Sequence, residues 1–437
     1  MTCYSFPTEV HMHKRFHFST ILSVLLSFMI ILGSVFSYGS ADSVKAAASG
    51  EATGAKLADD SLPTYKISPK SKTASNYERY STYSKATHCY YLIRSYMEKL
   101  EEADGGTLIL KKGTYTLSNT IYVPSNVTII FNKKVKLKKS MDSGTSLFPA
   151  SYSFFQLCAP SDSEKTGVYK KYDGVHDVAF IGKGKVTFDQ ASKQDVISIM
   201  MCHNSNITVK GINFKNMYAG HFLETDASKN ILIEDCTFTG HKDSPNNNKE
   251  AINLDTPDKA TGGFHADWSS YDKTPNDLVT IKNCTFKDLE RAIGTHKYSQ
   301  DKLHKNITIS DCSIKSCDKD AIRVMNWKDF TIKNNTIDTV SDGTDRIYRA
   351  VLVSGGYGMD ISYNTFKNVA RPVQIMAWRN SDAGSEYDTI YNDVTDAEMS
   401  LMETNTLING QEYFIRWNKL YEVYNTDTVK IPVKSGD

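Results

Sequence analysis

The sequence has almost no excess of charge. Its 51 lysines and arginines face 50 aspartates and glutamates, a balance that excludes a general nucleic-acid binder. It lacks long apolar runs, apart from Ile21 to Leu32, about 12 to 16 residues and short for a membrane span. Lys14 and Arg15 precede that run, and small residues follow it at Gly39-Ser40-Ala41 and Val44-Lys45-Ala46. Residues 1–41 therefore read as a secretory signal, with a secreted or cell-surface destination and no membrane partner after cleavage. Cutting after Ala41 leaves 49 basic and 49 acidic residues and a formal charge of zero. The cysteines lack any zinc-binding spacing. Seven would remain after cleavage, namely Cys89, Cys158, Cys202, Cys236, Cys284, Cys312 and Cys317. Cys236, Cys284 and Cys312 share one repeat position and are expected to stack as small buried residues, a disulfide between neighbours being the alternative.

Helix-length segments are missing from the central chain as well, and a short repeat takes their place. Phe222-Leu223-Glu224-Thr225-Asp226 returns as Ala251-Ile252-Asn253-Leu254-Asp255, as Ala292-Ile293-Gly294-Thr295-His296 and as Ala321-Ile322-Arg323-Val324-Met325. Each copy leads to a second pattern, starting at Asn230, Leu278, Asn306 and Asp329 and running through Cys236-Thr-Phe238, Cys284-Thr-Phe286, Cys312-Ser-Ile314 and Asn335-Thr-Ile337. Period-two alternation means strand. Strands that recur at a fixed interval without intervening helices mean a solenoid, and the reading is an all-β parallel β-helix. The alternation predicts that Glu224, Asn253, Gly294 and Arg323 share one outward column. Asp226, Asp255, His296 and Met325 share its neighbour.

Around this centre the chain divides into a linker over 42–83, the solenoid over 84–380, and a polar loop with a C-terminal cap over 381–437. An amphipathic helix over Ser84–Ala103 has Cys89, Ile93, Tyr96, Met97 and Leu100 on one face, suited to cover the open first rung. Asn-x-Thr triplets at Asn126, Asn206, Asn283, Asn306 and Asn334 recur in phase with the strands. They read as repeat chemistry rather than glycan acceptors. Insertions at Gly240–Glu250, Thr256–Asp277 and Lys297–Lys305 carry His265, Trp268, Tyr271 and Tyr298, expected to wall a groove and stack against sugar rings.

The strands Gly106–Leu117, Thr120–Ile130 and Asp177–Phe188, with their Gly-Thr-Tyr and capping-helix opening, resemble the right-handed parallel β-helix proteins of the pectin-lyase-like superfamily. The resemblance runs from residue 84 to about 380 and implies the fold, because the superfamily includes lyases, hydrolases, epimerases and inert adhesins.

Glu224, Asp226 and Asp255 fall within about 5 to 8 Å of one another by strand and rung spacing. Carboxylates that close retain a proton toward neutral pH, the condition glycoside hydrolysis needs. The order of Glu224-Thr225-Asp226, Asp255, Gly294-Thr295-His296 and Arg323 resembles the polygalacturonase site. Asp226 and Asp255 would then be the acid–base pair, His296 would orient them, and Glu224 and Arg323 would bind a uronate-bearing polysaccharide. Asn253-Leu254-Asp255 lacks that family's aspartate pair, and Met325 replaces its lysine. Resemblance to pectate lyases implies a second use of these residues. Glu224, Asp226 and Asp255 would hold Ca²⁺, with Arg323 or Lys297 as the base; the hydrolase needs no cofactor. The competing class is a non-catalytic carbohydrate-binding surface protein or adhesin. A monomer is expected in every case.

Overall fold

Apolar and polar residues alternate so regularly here that the strands stack in register. The computed structural model describes residues 50–244, 249–382 and 385–436. Within them the chain coils as a parallel β-helix with up to three strands per turn. One turn runs Leu223–Asp226, Lys229–Glu234 and Thr237–Lys242. The next runs Glu250–Asp255, Asp277–Lys282 and Thr285–Leu289. Leu223 pairs with Ile252, Ile231 with Val279 and Phe238 with Phe286, all in parallel register. Like side chains therefore stack on like.

These stacks fill the coil. On the first face Ile199, Leu223, Ile252, Ile293, Ile322 and Val351 form one aliphatic column. On the third face Phe214, Phe238 and Phe286 stack nearly parallel with centroids 4.9 and 4.8 Å apart, which is the strand spacing of a sheet. All are buried, so one continuous apolar core runs along the axis.

Each turn bends at single residues in left-handed backbone. Asp235, Asn283, Asp311 and Asn334 do so at one corner, and Asn206, Asn230, Asn306 and Asp329 at another, all with φ between 53° and 58°. Asn and Asp tolerate this conformation best among residues with a side chain. All five Asn-x-Thr triplets start on such residues, so they mark corners of the repeat. Beside the first corner Cys236, Cys284 and Cys312 stack as buried free thiols. Asn335, Asn364 and Asn405 continue the column as a hydrogen-bonded ladder.

Both ends differ from expectation. Helix His88–Glu102 packs on the first strands as anticipated, but the residues before it are no linker from residue 50 onward. Thr64–Ile67 is a strand paired with Thr107–Leu110. Ahead of it the backbone amides of Ala52, Gly54, Ala55 and Ala58 donate to Thr280, Asn230, Thr208 and Thr128 on four different strands. At the other end the coil does not stop at residue 380. Thr406–Ile408 pairs with Thr365–Lys367, and Phe414–Asn418 extends Gln374–Met376. An antiparallel strand, Val429–Pro432, then covers Phe414–Trp417. The expected signal segment lies outside the described residues. Among the described residues no helix is long and apolar enough to cross a membrane.

Candidate functional site

The first predicted column exists, and the second is paired as far as Asp226 and Asp255, the next strand ending at Gly294 before His296. Glu224 pairs with Asn253, Asn253 with Gly294 and Gly294 with Arg323, while Asp226 pairs with Asp255. The expectation fails on exposure: Glu224 is 4% exposed, Asp255 2% and Asp226 0%. The insertion that leaves the sheet after Asp255 folds back two rungs, over the strand that precedes Glu224 and Asp226. There Phe264 and Trp268 pack on Met200 and Cys202, the partners of Glu224 and Asp226. Trp268, expected as a sugar platform, is 1% exposed, because its indole N–H donates to Gln156 (3.1 Å) and its ring meets Tyr169.

The buried carboxyls form a proton-holding cluster. Burial and the Asp255 charge push Glu224 up to about 8. Burial, with Glu224 and Asp255 beside it, pushes Asp226 well above the carboxylate range, and neither of its oxygens has a hydrogen-bond partner. Burial raises Asp255 to about 6, less than its neighbours because His296 and the Lys297 amide favour its charge. The N–H groups of His296 and Lys297 each donate to its Oδ1 at 2.7 Å. Asn253 ties the columns together, donating to Glu224 (2.9 Å) and accepting from the His296 N–H (3.2 Å). Oxygens of Glu224, Asp226 and Asp255 do not converge as a chelate. Among the described residues only His241, Asp243 and Asp318 bring three ligand atoms within 4.8 Å of one another. The cluster therefore does not fit the Ca²⁺ expected there, which takes six to eight oxygens at short range.

Next along the same face lies a cleft of about 860 Å³. It takes in His296, Tyr298 and Arg323 of the expected residues, but not Glu224, Asp226, Asp255, His265, Trp268 or Tyr271. Tyr298 is buried against Met325 and Ile390 rather than offering its ring, and His265 is exposed elsewhere. The lining is cationic. Arg291, Arg349 and Arg371 come from one column, Arg323 and Arg416 from the next, and Lys297, Lys319, Arg346 and Arg379 from flanking loops. Asp320 is the single carboxylate among the described lining residues. Tyr348, Trp378, Tyr421 and Tyr424 add aromatic surface.

Ion pairs stiffen the floor. Asp320 holds Arg349 at 2.9 Å and Arg291 at 3.6 Å. Arg371 and Arg416 share Glu412, each at 2.8 Å. Glu250 lies fully buried behind the cleft, 3.6 Å from His296 and 3.8 Å from Arg291. Burial alone would raise its pKa, but His296, Arg291 and Arg323 hold it well below the carboxylate range. The Arg323 guanidinium makes no hydrogen bond or ion pair with a described residue, and desolvation next to Arg291 lowers it to about 10. It is a half-buried cation lining the cleft.

Arg323 apart, sequence reasoning missed the arginines. A signal was present: Glu250-Ala251-Ile252, Arg291-Ala292-Ile293, Asp320-Ala321-Ile322, Arg349-Ala350-Val351 and Arg371-Pro372-Val373 place a charged residue at one repeat phase. Position in the repeat, rather than net charge, reveals the cationic stretch.

A family model described as "Right handed beta helix region" matches residues 259–398, and the coil is a right-handed parallel β-helix. In sequence the chain resembles the plasmin and fibronectin-binding protein A of Streptococcus pneumoniae (strain ATCC BAA-255 / R6). The two are 23% identical over 270 residues, 56% of this chain and 36% of that protein, so the chain spans about a third of that relative. Two solved structures of the Streptococcus pneumoniae surface adhesin PfbA share the fold. One superposes with a TM-score of 0.52 at 17% identity, covering 79% of this chain and 85% of the other. The second gives 0.53 at 14% identity, covering 85% and 100%.

Proposed function

We propose that this chain is a secreted or surface-displayed binding module of the adhesin type, holding an acidic polysaccharide in the cationic cleft. One observation carries the reading: nine basic side chains line the cleft against a single carboxylate, with Arg323 left unpaired above an ion-paired floor. Such a field concentrates polyanions, and guanidinium forks match carboxylates bidentately. From Arg323 to Arg416 the column spans three rungs, roughly 14 Å, room for a few pyranose rings. Tyr348, Trp378, Tyr421 and Tyr424 offer rings to the sugar faces. A uronate-bearing glycan suits both features. The surface-adhesin relative supports binding over cleavage, as does the seclusion of Asp226 and Asp255 from the cleft.

A second reading, elimination by a uronate lyase, is favoured by Arg323 alone. Its lowered pKa makes it the least unlikely arginine to take the proton beside a bound carboxylate, with the glycosidic oxygen departing. Hydrolysis would need an accessible carboxyl pair, and the described lining residues include only the ion-paired Asp320.

The deciding experiment incubates the chain with polygalacturonate, alginate, glycosaminoglycans and neutral glycans, and separately with plasmin and fibronectin. Saturable, salt-sensitive binding of acidic glycans without products is expected. Unsaturated uronate ends would move the assignment to lyase and new reducing ends to hydrolase. Binding confined to the two proteins would overturn the glycan reading.

A further inference from the structure

A second cluster lies at the third face, and one of its members, Asp318, directly precedes the cleft residue Lys319. His241 closes the strand Thr237–Lys242, Asp243 follows it, and Asp318 stands just past Ser313–Cys317, two rungs on. The Asp288 carbonyl on the intervening rung accepts the His241 Nδ1–H at 3.0 Å. That bond makes Nδ1 the donor and turns Nε2 toward the two carboxylates, and orienting a ring through its other nitrogen is the usual support for a metal-binding histidine. Nε2 lies 3.0 Å from Asp318 Oδ2 and 3.3 Å from Asp243 Oδ1. Yet it is buried and makes a proper hydrogen bond to neither. Two carboxylate oxygens converging on that nitrogen call for a positive centre among the three, a proton on Nε2 or a metal ion in its place.

We propose that His241, Asp243 and Asp318 bind a borderline divalent cation of the zinc class. Bonds of about 2.0–2.1 Å in a tetrahedral site set ligand atoms about 3.3 Å apart, close to both separations seen here. Mixed imidazole and carboxylate donors favour zinc, cobalt or nickel over calcium and magnesium, which select oxygen. The backbone behind Asp318 is fixed: its N–H donates to the Leu289 carbonyl at 3.0 Å and that of Lys319 to the Glu290 carbonyl at 2.9 Å. Glu290 is buried nearby with Oε1 unpartnered. Water completes the coordination. The ion would pin the start of the loop after Lys242 to a later rung, and so fasten the chain entering Glu250–Asp255.

The test uses untagged protein equilibrated with zinc or calcium and then desalted. One retained equivalent of zinc and no retained calcium are expected, with a higher melting temperature in zinc. Cobalt bound to the unmodified chain should give the intense visible bands of a four-coordinate site, a readout that needs no variant. His241→Gln and Asp318→Asn should each weaken zinc binding about 10- to 100-fold, circular dichroism confirming that the variants fold. Zinc lost on desalting, six-coordinate cobalt bands, or unchanged binding by both folded variants would overturn the assignment. His241 would then be an imidazolium clamped between two carboxylates.

Discussion

Gly294 lies directly under Arg323 in the ladder, so close that a Cβ at 294 would sit 2.5 Å from the Arg323 carbonyl oxygen and 2.9 Å from its Cβ. Glycine here is a requirement of spacing, and the backbone beneath the unpaired guanidinium depends on it. Gly294→Ala should therefore displace Arg323 without removing its charge. We expect a stability loss of about 1–3 kcal/mol together with weaker polyanion binding. Denaturant titration and binding isotherms on one preparation check both. Full affinity in a destabilised chain would separate Arg323 from the ligand.

Removing the charge directly tests the cleft from the other side. Arg323→Gln should lower affinity for polygalacturonate at least tenfold, about 1.4 kcal/mol, and flatten the salt dependence. Lys215→Gln, an exposed site on the third face, should change neither. Equal effects of the two substitutions would reduce the interaction to overall charge.

The buried carboxyl cluster predicts an unusual response to pH. Glu224 at about 8, Asp255 at about 6 and Asp226 well raised hold protons in the folded chain that the unfolded chain releases above about 4. Their contribution is present in full below that point. It fades as pH rises through 6 and 8, at about 1.4 kcal/mol per pH unit for each such proton. His221 and His304, pushed down to about 3 by burial, and Lys139, at about 7, change stability with the opposite slope in any variant. The cluster is thus isolated by difference. Asp226→Asn should gain stability relative to the parent as pH rises from 5 to 9, read as melting temperature against pH. Parallel curves would show that Asp226 is not the proton store.

At the corner column, Asn364 accepts from the Asn335 N–H and side-chain amide, each at 3.0 Å, and donates to Ile332 O (2.8 Å) and Asn405 Oδ1 (2.9 Å). Asn364→Ala strands these buried partners, each worth about 1–3 kcal/mol when left unmade. A loss of 3 kcal/mol or more is expected from urea unfolding, whereas exposed Lys215→Ala should lose less than 0.5 kcal/mol.

The coil was legible because its rule is local. Ile252 and Ile293 recur in phase, and Asn283 or Asn334 marks a corner by its own backbone preference. The columns of Glu224 and Asp226 followed from the same counting. What lies over a column is a long-range matter. Whether Asp226 meets water depends on Trp268, 42 positions later in the chain, finding Gln156 on an earlier rung. The arginines of the cleft escaped notice for a different reason: their like charges are spread over 126 residues from Arg291 to Arg416. Only the coil gathers them.

The segment crossing the strands at Ala52–Ala58 gives the molecule a mechanical character. Its amides hold Thr280, Asn230, Thr208 and Thr128 in turn, so tension applied at residue 50 meets them one after another rather than together. Each release lengthens the tether by the reach of a residue or two, about 3.4 Å apiece. Pulled from that side, the seam gives way before the coil, because its bonds open singly while each rung is held by a whole ladder of bonds and by the buried core.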